Sequence, residues 1–296
     1  PHSGQSFILD MNSTLYRLSG DQISVYLDMS KQIEKFINQP GLSSGFASFA
    51  FHPEHYKNGL LYTAHTEPAA TKPADFTFED SLESALQFVI LEWKTHDPNA
   101  VEFDGTHREL FRIDMVSKAH GVQEIAFNPS AKKGSPDYGL LYLAIGDAGA
   151  GENRYPYLLH SKNRAWGTLF RIDPLQDTSK STPAKNGNYG IPKSNPFTGH
   201  ASAIGEIYAF GFRNPHRIAW SQKGQLLVSN IGHADVETLD LVEAGEDYGW
   251  PYMEGRYILD PMGDLAKIYQ PIESDSIVKQ VSVPLAQFDR DDAKAI

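Results

Sequence analysis

Residues 125–147 read IAFNPSAKKGSPDYGLLYLAIGD: a short alternating strand, a turn rich in Pro and Gly, then a second apolar strand. The same order recurs in FAFHPEHYKNGLLYTAH at 49–65 and IAWSQKGQLLVSN at 218–230. Each copy predicts a β-hairpin whose turn varies in length. FILDMNSTLYRL, ALQFVILEW, ELFRID, TLFRIDP, EIYAFGF and TLDLV add further strands. Short strands in a repeated unit, with turn chemistry between them, predict an all-β fold: a β-propeller or another large β-array. Helical periodicity is confined to SKQIEKFIN at 30–38, where Ile33, Phe36 and Ile37 share a face, and to FEDSLESALQ at 78–87. Two segments rich in Pro, Gly, Ser and Thr, 67–81 and 173–200, read as long surface loops. The strand pattern resumes unchanged after each, so the whole chain, 1–296, is expected to form one domain.

Asp and Glu number 37 against 26 Lys and Arg, a formal charge of −11, and no basic block occurs. Nucleic acid and anionic membrane surfaces are therefore disfavoured partners. The absence of cysteine removes thiol nucleophiles, thiolate metal sites and disulfides together. No apolar run approaches the ~18 residues of a membrane span, so none is expected. The first residues, PHSGQSFILD, lack the basic and apolar regions of a signal peptide.

Several short patterns carry little chemistry in context. GLSSG at 41–45 matches a nucleophile elbow on Ser43, but Pro40 precedes it and alternating FASFAF follows, the reverse of strand–turn–helix. HPEH at 52–55 cannot present both imidazoles on one helical face around its proline and reads as a turn. Asn12 lies in a glycosylation sequon that matters only on a eukaryotic secretory route. AIGDAGAGEN at 144–153 lacks the Lys-Ser/Thr of a phosphate loop and reads as a turn in which Asp147 bonds the backbone.

Three features remain. His120, beside Gly121, immediately precedes the second repeated strand. GFRNPHRIAW at 211–220 crowds two arginines, an asparagine and a histidine around Pro215, and a buried strand tolerates such donors only when they are paired. If the repeats are blades, residues just before equivalent strands gather at one end of the central channel, which brings His120 towards Arg213 and Asn214. NIGHADVETLDLVEAGEDYGWP at 230–251 sets six carboxylates around a Gly-containing turn, either a solvated acidic face or a hard-cation site.

GFASFAFHPEHYKNGLLY, HGVQEIAFNP, LLYLAIGDAG, LFRIDP, GFRNPHRIAW and VETLDLVEAGEDYGWP stand in the order found in glucose/sorbosone dehydrogenases, and the chain resembles that family over nearly its whole length. The resemblance implies a six-bladed propeller that uses pyrroloquinoline quinone (PQQ) and calcium to oxidise an aldose or related alcohol, passes electrons to an external acceptor, and works in the periplasm or outside the cell. The remaining blades are expected beyond residue 296, leaving an incomplete ring here. By position, the resemblance makes His120 the general base, Arg213 the cation that polarises the quinone, and Asn214 a cofactor contact. It makes Gly232 and His233 carbonyl ligands of calcium and Glu237 a metal-site carboxylate. It also implies that Arg213 and Asn214 lack protein partners because the cofactor pairs with them. The chain departs from the family pattern at Ser43, Ala119, Gln123, Glu124, Ile231 and His233. A propeller that binds a carbohydrate or protein without turnover is the alternative.

Overall fold

The computed structural model describes residues 5–39, 43–79, 81–233, 235–272 and 274–289. Its first sheet is the meander β1 (Ser6–Asp10), β2 (Thr14–Ser19) and β3 (Gln22–Asp28). The second is a four-stranded antiparallel blade of β4 (Phe46–Phe51), β5 (Leu60–Pro68), β6 (Leu86–Thr95) and β7 (Gly105–Met115). The third orders β8 (Val122–Phe127), β9 (Leu141–Ile145) and β10 (Thr168–Ile172). A two-stranded excursion, β11 (Ser181–Pro183) and β12 (Gly190–Pro192), precedes its last strand, β13 (Ile207–Phe210). The fourth consists of β14 (Pro215–Trp220), β15 (Leu226–Asn230), β16 (Val236–Val242) and, after the small sheet β17 (Met253–Glu254), β18 (Tyr257–Leu259) and β19 (Ile268–Tyr269), β20 (Ala286–Asp289).

The three predicted hairpins are β4–β5, β8–β9 and β14–β15, and they share one detail of register. Each first strand carries a bulge at its second residue: the pairing shifts between Phe46 and Ser48, between Val122 and Glu124, and between Pro215 and Arg217. A bulge twists a strand where it meets its neighbours. β4, β8 and β14 are adjacent, as the innermost strands of successive propeller blades are.

The same alternation that marks these strands explains why blades stack. Along β9, Leu141, Leu143 and Ile145 join the cluster that holds Tyr62, Phe88 and Phe111 of the preceding blade. Tyr142 and Ala144 point the other way and pack with Ile218, Leu226 and Val228 of the next. A third cluster, around Leu15, Leu27, Phe46 and Trp93, joins the first two sheets. With both faces buried, a central blade strand reads as an unbroken apolar run. Among the described residues these three clusters link the sheets in sequence and none joins the fourth to the first, as in an open arc of a propeller.

Three local expectations fail. SKQIEKFIN forms only α1 (Met29–Gln32), capped by Asp28, and ends at Ile33 because that residue takes an extended backbone. Within 78–87 no helix forms among the described residues: Ala85 N–H donates to Met115 O at 2.7 Å, and β6 has already begun at Leu86. Tertiary strand pairing overrides a weak local preference. The 173–200 loop is not structureless, since it folds the β11–β12 hairpin and buries Tyr189. The other short helix, α2 (His55–Asn58), sits in the β4–β5 turn, where His55 Nδ1 lies 2.8 Å from Leu60 O, the turn role expected of HPEH.

Candidate active site

Apart from Glu237, the second residue of β16, the residues singled out in sequence lie on connectors at one end of the blades: 116–121 before β8, 146–167 after β9, 211–214 before β14 and 231–235 after β15. His120 and Arg213 stand at equivalent places, each two residues before the strand that carries the bulge. The backbone there is tightly constrained. His120 takes φ +51°, a left-handed conformation uncommon outside glycine, and its carbonyl accepts from Ala148 N–H at 3.1 Å. A Cβ on Gly121 would overlap the ring of Phe88, and one on Gly146 would overlap His120 O, so both glycines let chains approach that otherwise could not.

Asp147 is the centre of the site. It is fully buried, and its carboxylate accepts from His120 Nδ1 at 2.7 Å, Gly149 N at 2.7 Å, Trp250 Nε1 at 2.9 Å and Gly151 N at 3.4 Å. Burial alone would raise its pKa, but the His120 bond, the charges of His120 and Arg213, and the Gly149 N–H outweigh it and hold the carboxyl below its usual range. An ionised carboxylate only accepts, so Nδ1 of His120 carries a proton, which leaves Nε2 as the nitrogen that can act as a base. With the imidazole mostly shielded, this is the geometry of an oriented general base.

Asp147 also joins His120 to the arginine, because its N–H donates to Arg213 O at 2.7 Å and Trp250, which it holds, lies under the Arg213 guanidinium at 5.6 Å. Arg213 is buried, and the expectation that it lacks a protein partner is wrong. Its Nη1 donates to Gly232 O at 2.6 Å and Ile231 O at 3.2 Å, and its Nη2 is ion-paired with Glu152. Glu152 Oε1 also lies 3.2 Å from His233 Nδ1. A buried guanidinium without a counter-charge is costly, and the turn after Asp147 supplies one. Among the described residues, Arg213 Nε and, on Asn214, the buried side-chain oxygen have no partner; the Asn214 N–H donates to Asn230 Oδ1 at 2.9 Å.

Gly232 and His233 lie in the turn between β15 and β16, and Gly232 N donates to Glu237 Oε2, on β16, at 2.9 Å. Glu254, which no sequence signal singled out, braces this turn: one buried oxygen accepts from the amides of His233, Asp235 and Val236 at 2.8, 3.2 and 3.0 Å. Among the described residues no three His, Asp or Glu side chains converge as metal ligands. Of the departures from the family pattern, Gln123 and Ser43 touch, Nε2 to Oγ at 3.0 Å. Glu124 instead accepts from Ile218 N–H between blades, where burial pushes its carboxyl up.

Residues 19–284 match the Glucose / Sorbosone dehydrogenase family. The chain belongs to that family. Family relatives include the HIPL2 protein of Arabidopsis thaliana, 26% identical over 86% of this chain and 38% of that protein. The quinoprotein glucose dehydrogenase B of Acinetobacter calcoaceticus is 26% identical over 76% of this chain and 43% of that protein. Mouse Hedgehog-interacting protein is 26% identical over 66% of this chain and 25% of its own length. This glucose/sorbosone dehydrogenase-family chain thus spans less than half the length of the curated relatives it matches. Its fold is that of the PQQ-bound aldose sugar dehydrogenase of Streptomyces coelicolor, with a TM-score of 0.63 at 18% identity over 98% of this chain and 66% of that one. The apo soluble aldose sugar dehydrogenase of Escherichia coli gives 0.56 at 16% identity over 83% and 59%. Among the described residues no helix is long and apolar enough to cross a membrane.

Proposed function

We propose that the chain carries the base and the principal cationic contact of a PQQ-dependent sugar dehydrogenase that oxidises an aldose or related alcohol and passes electrons to an external acceptor, in the periplasm or outside the cell. The observation that carries this reading is the His120–Asp147 pair, in which a fully buried carboxylate orients a mostly shielded imidazole beside Arg213. His120 Nε2 takes the proton of the anomeric hydroxyl, and Asp147 stabilises the imidazolium so formed. A two-electron acceptor for the hydride is what bound PQQ supplies. Arg213 and Asn214 would hold it: the Nε and the amide oxygen left over are buried polar atoms suited to a polar ligand, and a fixed cation belongs where negative charge develops.

Calcium fits less well. The Gly232 and His233 carbonyls and the Glu237 carboxylate are hard oxygen donors, but Gly232 O already accepts from Arg213. We therefore assign these three as candidate ligands and derive no step through the metal. Calorimetric titration of the full-length protein with PQQ, with and without a calcium chelator, tests the cofactor. Turnover of His120→Ala tests the base: a loss well under ~100-fold is too small for that role.

The Glu152–Arg213 ion pair favours a second reading, a propeller that binds carbohydrate or protein without redox turnover, because it neutralises the cation a quinone would face. Sugar affinity independent of PQQ would support that reading; obligatory dependence on the quinone would count against it.

A further inference from the structure

A cavity of about 590 Å³, unrelated to the His120–Arg213 site and independent of the function proposed for it, opens between the second and third blades. Its walls come from segments 74–77, 163–166, 185–191 and 203–206, and Phe76, Trp166, Tyr189, Ile191 and Ile204 make them largely apolar. That volume and lining suit a small organic ligand. The rings are fixed from behind. Phe76 packs edge-on against Phe170 at 5.1 Å, Trp166 Nε1 donates to Asp114 O at 2.9 Å, and Tyr189 leans on Phe111 at 5.2 Å.

Glu206 lines the same cavity and is only 6% exposed. Its Oε1 accepts from Tyr189 Oη at 2.6 Å, burial together with the negative charge of Asp75 pushes its carboxyl up, and among the described residues it has no ion pair. The other charges around the cavity are accounted for. Arg164 is ion-paired with Glu79, and Asp75 accepts from Asn186 Nδ2 at 2.8 Å and Arg112 N at 3.0 Å. Lys185 is exposed. A buried carboxyl without a counter-cation is a costly feature in an apolar cavity unless something brings the charge.

We propose that this cavity binds a small hydrophobic primary ammonium ion, with Glu206 taking the charge and Phe76, Trp166 and Tyr189 enclosing the organic body. The ammonium donates to the Glu206 carboxylate while the rings offer their faces to the cation and its carbon skeleton. Where Glu206 is protonated before binding, the proton leaves to solvent as the ion pair forms.

The test is calorimetric titration of the chain with three matched probes: 2-phenylethylamine, 2-phenylethanol and 3-phenylpropionate. The amine is expected to bind about tenfold or more tighter than the alcohol, as one charged hydrogen bond supplies, and the carboxylate weakest of the three. Glu206→Gln should bring the amine down to the alcohol's affinity. Ala203→Trp, which fills the cavity and leaves the carboxyl in place, should abolish binding of all three, and it decides the matter should Glu206→Gln fail to fold. Amine binding that is absent, no tighter than the alcohol's, or unchanged in a folded variant overturns the proposal.

Discussion

Asp147→Asn tests the centre of the candidate site without cofactor or substrate. The carboxylate faces fixed donors on both oxygens: Oδ1 receives His120 Nδ1 and Gly149 N, and Oδ2 receives Trp250 Nε1 and Gly151 N. An amide presents one oxygen and one NH₂. With its oxygen at the Oδ1 position, the NH₂ meets the indole N–H head to head. With its oxygen at the Oδ2 position, the NH₂ meets the Gly149 N–H, and His120 must move its proton to Nε2 in order to accept at Nδ1. Neither the indole nor the backbone amide can adapt, so at least one buried donor loses its acceptor. A charged hydrogen bond contributes about 1.5–3 kcal/mol and a stranded buried donor costs about 1–3 more, so the variant should lose about 3–5 kcal/mol. Urea denaturation at pH 7 measures the stability, and ¹⁵N NMR of His120 reports its tautomer. A loss below about 1 kcal/mol with Nδ1–H retained would refute the reasoning, since such a carboxylate could not be orienting the base. The pH dependence has a definite sign. The folded pKa of Asp147 is depressed, so its contribution is present above the unfolded carboxyl range and is lost as pH falls through the lower folded value. The gap between the two proteins should therefore close below about pH 4.

Asp240 is buried and accepts from Thr238 Oγ1 at 2.9 Å, and burial pushes its pKa up to about 7. The folded state keeps a proton that the unfolded chain releases, so stability should fall as pH rises from about 4 to about 7, and Asp240→Asn should exceed the wild type at pH 8 by about 2 kcal/mol in urea midpoint titrations. Arg112 is fully buried between Glu67 at 3.1 Å, Gln87 at 2.7 Å and Glu109 at 2.7 Å. Arg112→Ala strands the Glu67 carboxylate, while Glu109 keeps Lys72 at 2.9 Å, and should cost about 3 kcal/mol or more by the same measurement, whereas an unchanged midpoint would mean water replaces the guanidinium. Gly121→Ala drives a methyl into Phe88 next to His120 and should cost about 1–3 kcal/mol and shift the His120 NMR signals, unless the ring moves aside.

The blades were legible because their signal is local. Leu141 to Ile145 alternate between two interblade clusters, and hairpins repeat with a Gly in each turn, so strand, period and repeat all lie within short windows. That His120 and Arg213 would stand at the same end of the blades was legible for the same reason, since they occupy the same place relative to equivalent strands. The partners of those residues were not. Asp147 had been read as a turn residue, and it does bond Gly149 N–H, but its tie to His120 spans 27 positions and its tie to Trp250 spans 103. Arg213 was expected to await a ligand, yet Glu152 reaches it from a different blade.

By itself, then, the sequence determined the β-periodicity, the repeat and which residue types stand at the blade ends, because side-chain alternation and turn chemistry act between near neighbours. Only the tertiary structure decided which charge meets which: blade stacking sets those distances, and a carboxylate becomes an orienting group or a counter-ion according to the chain that packs against it.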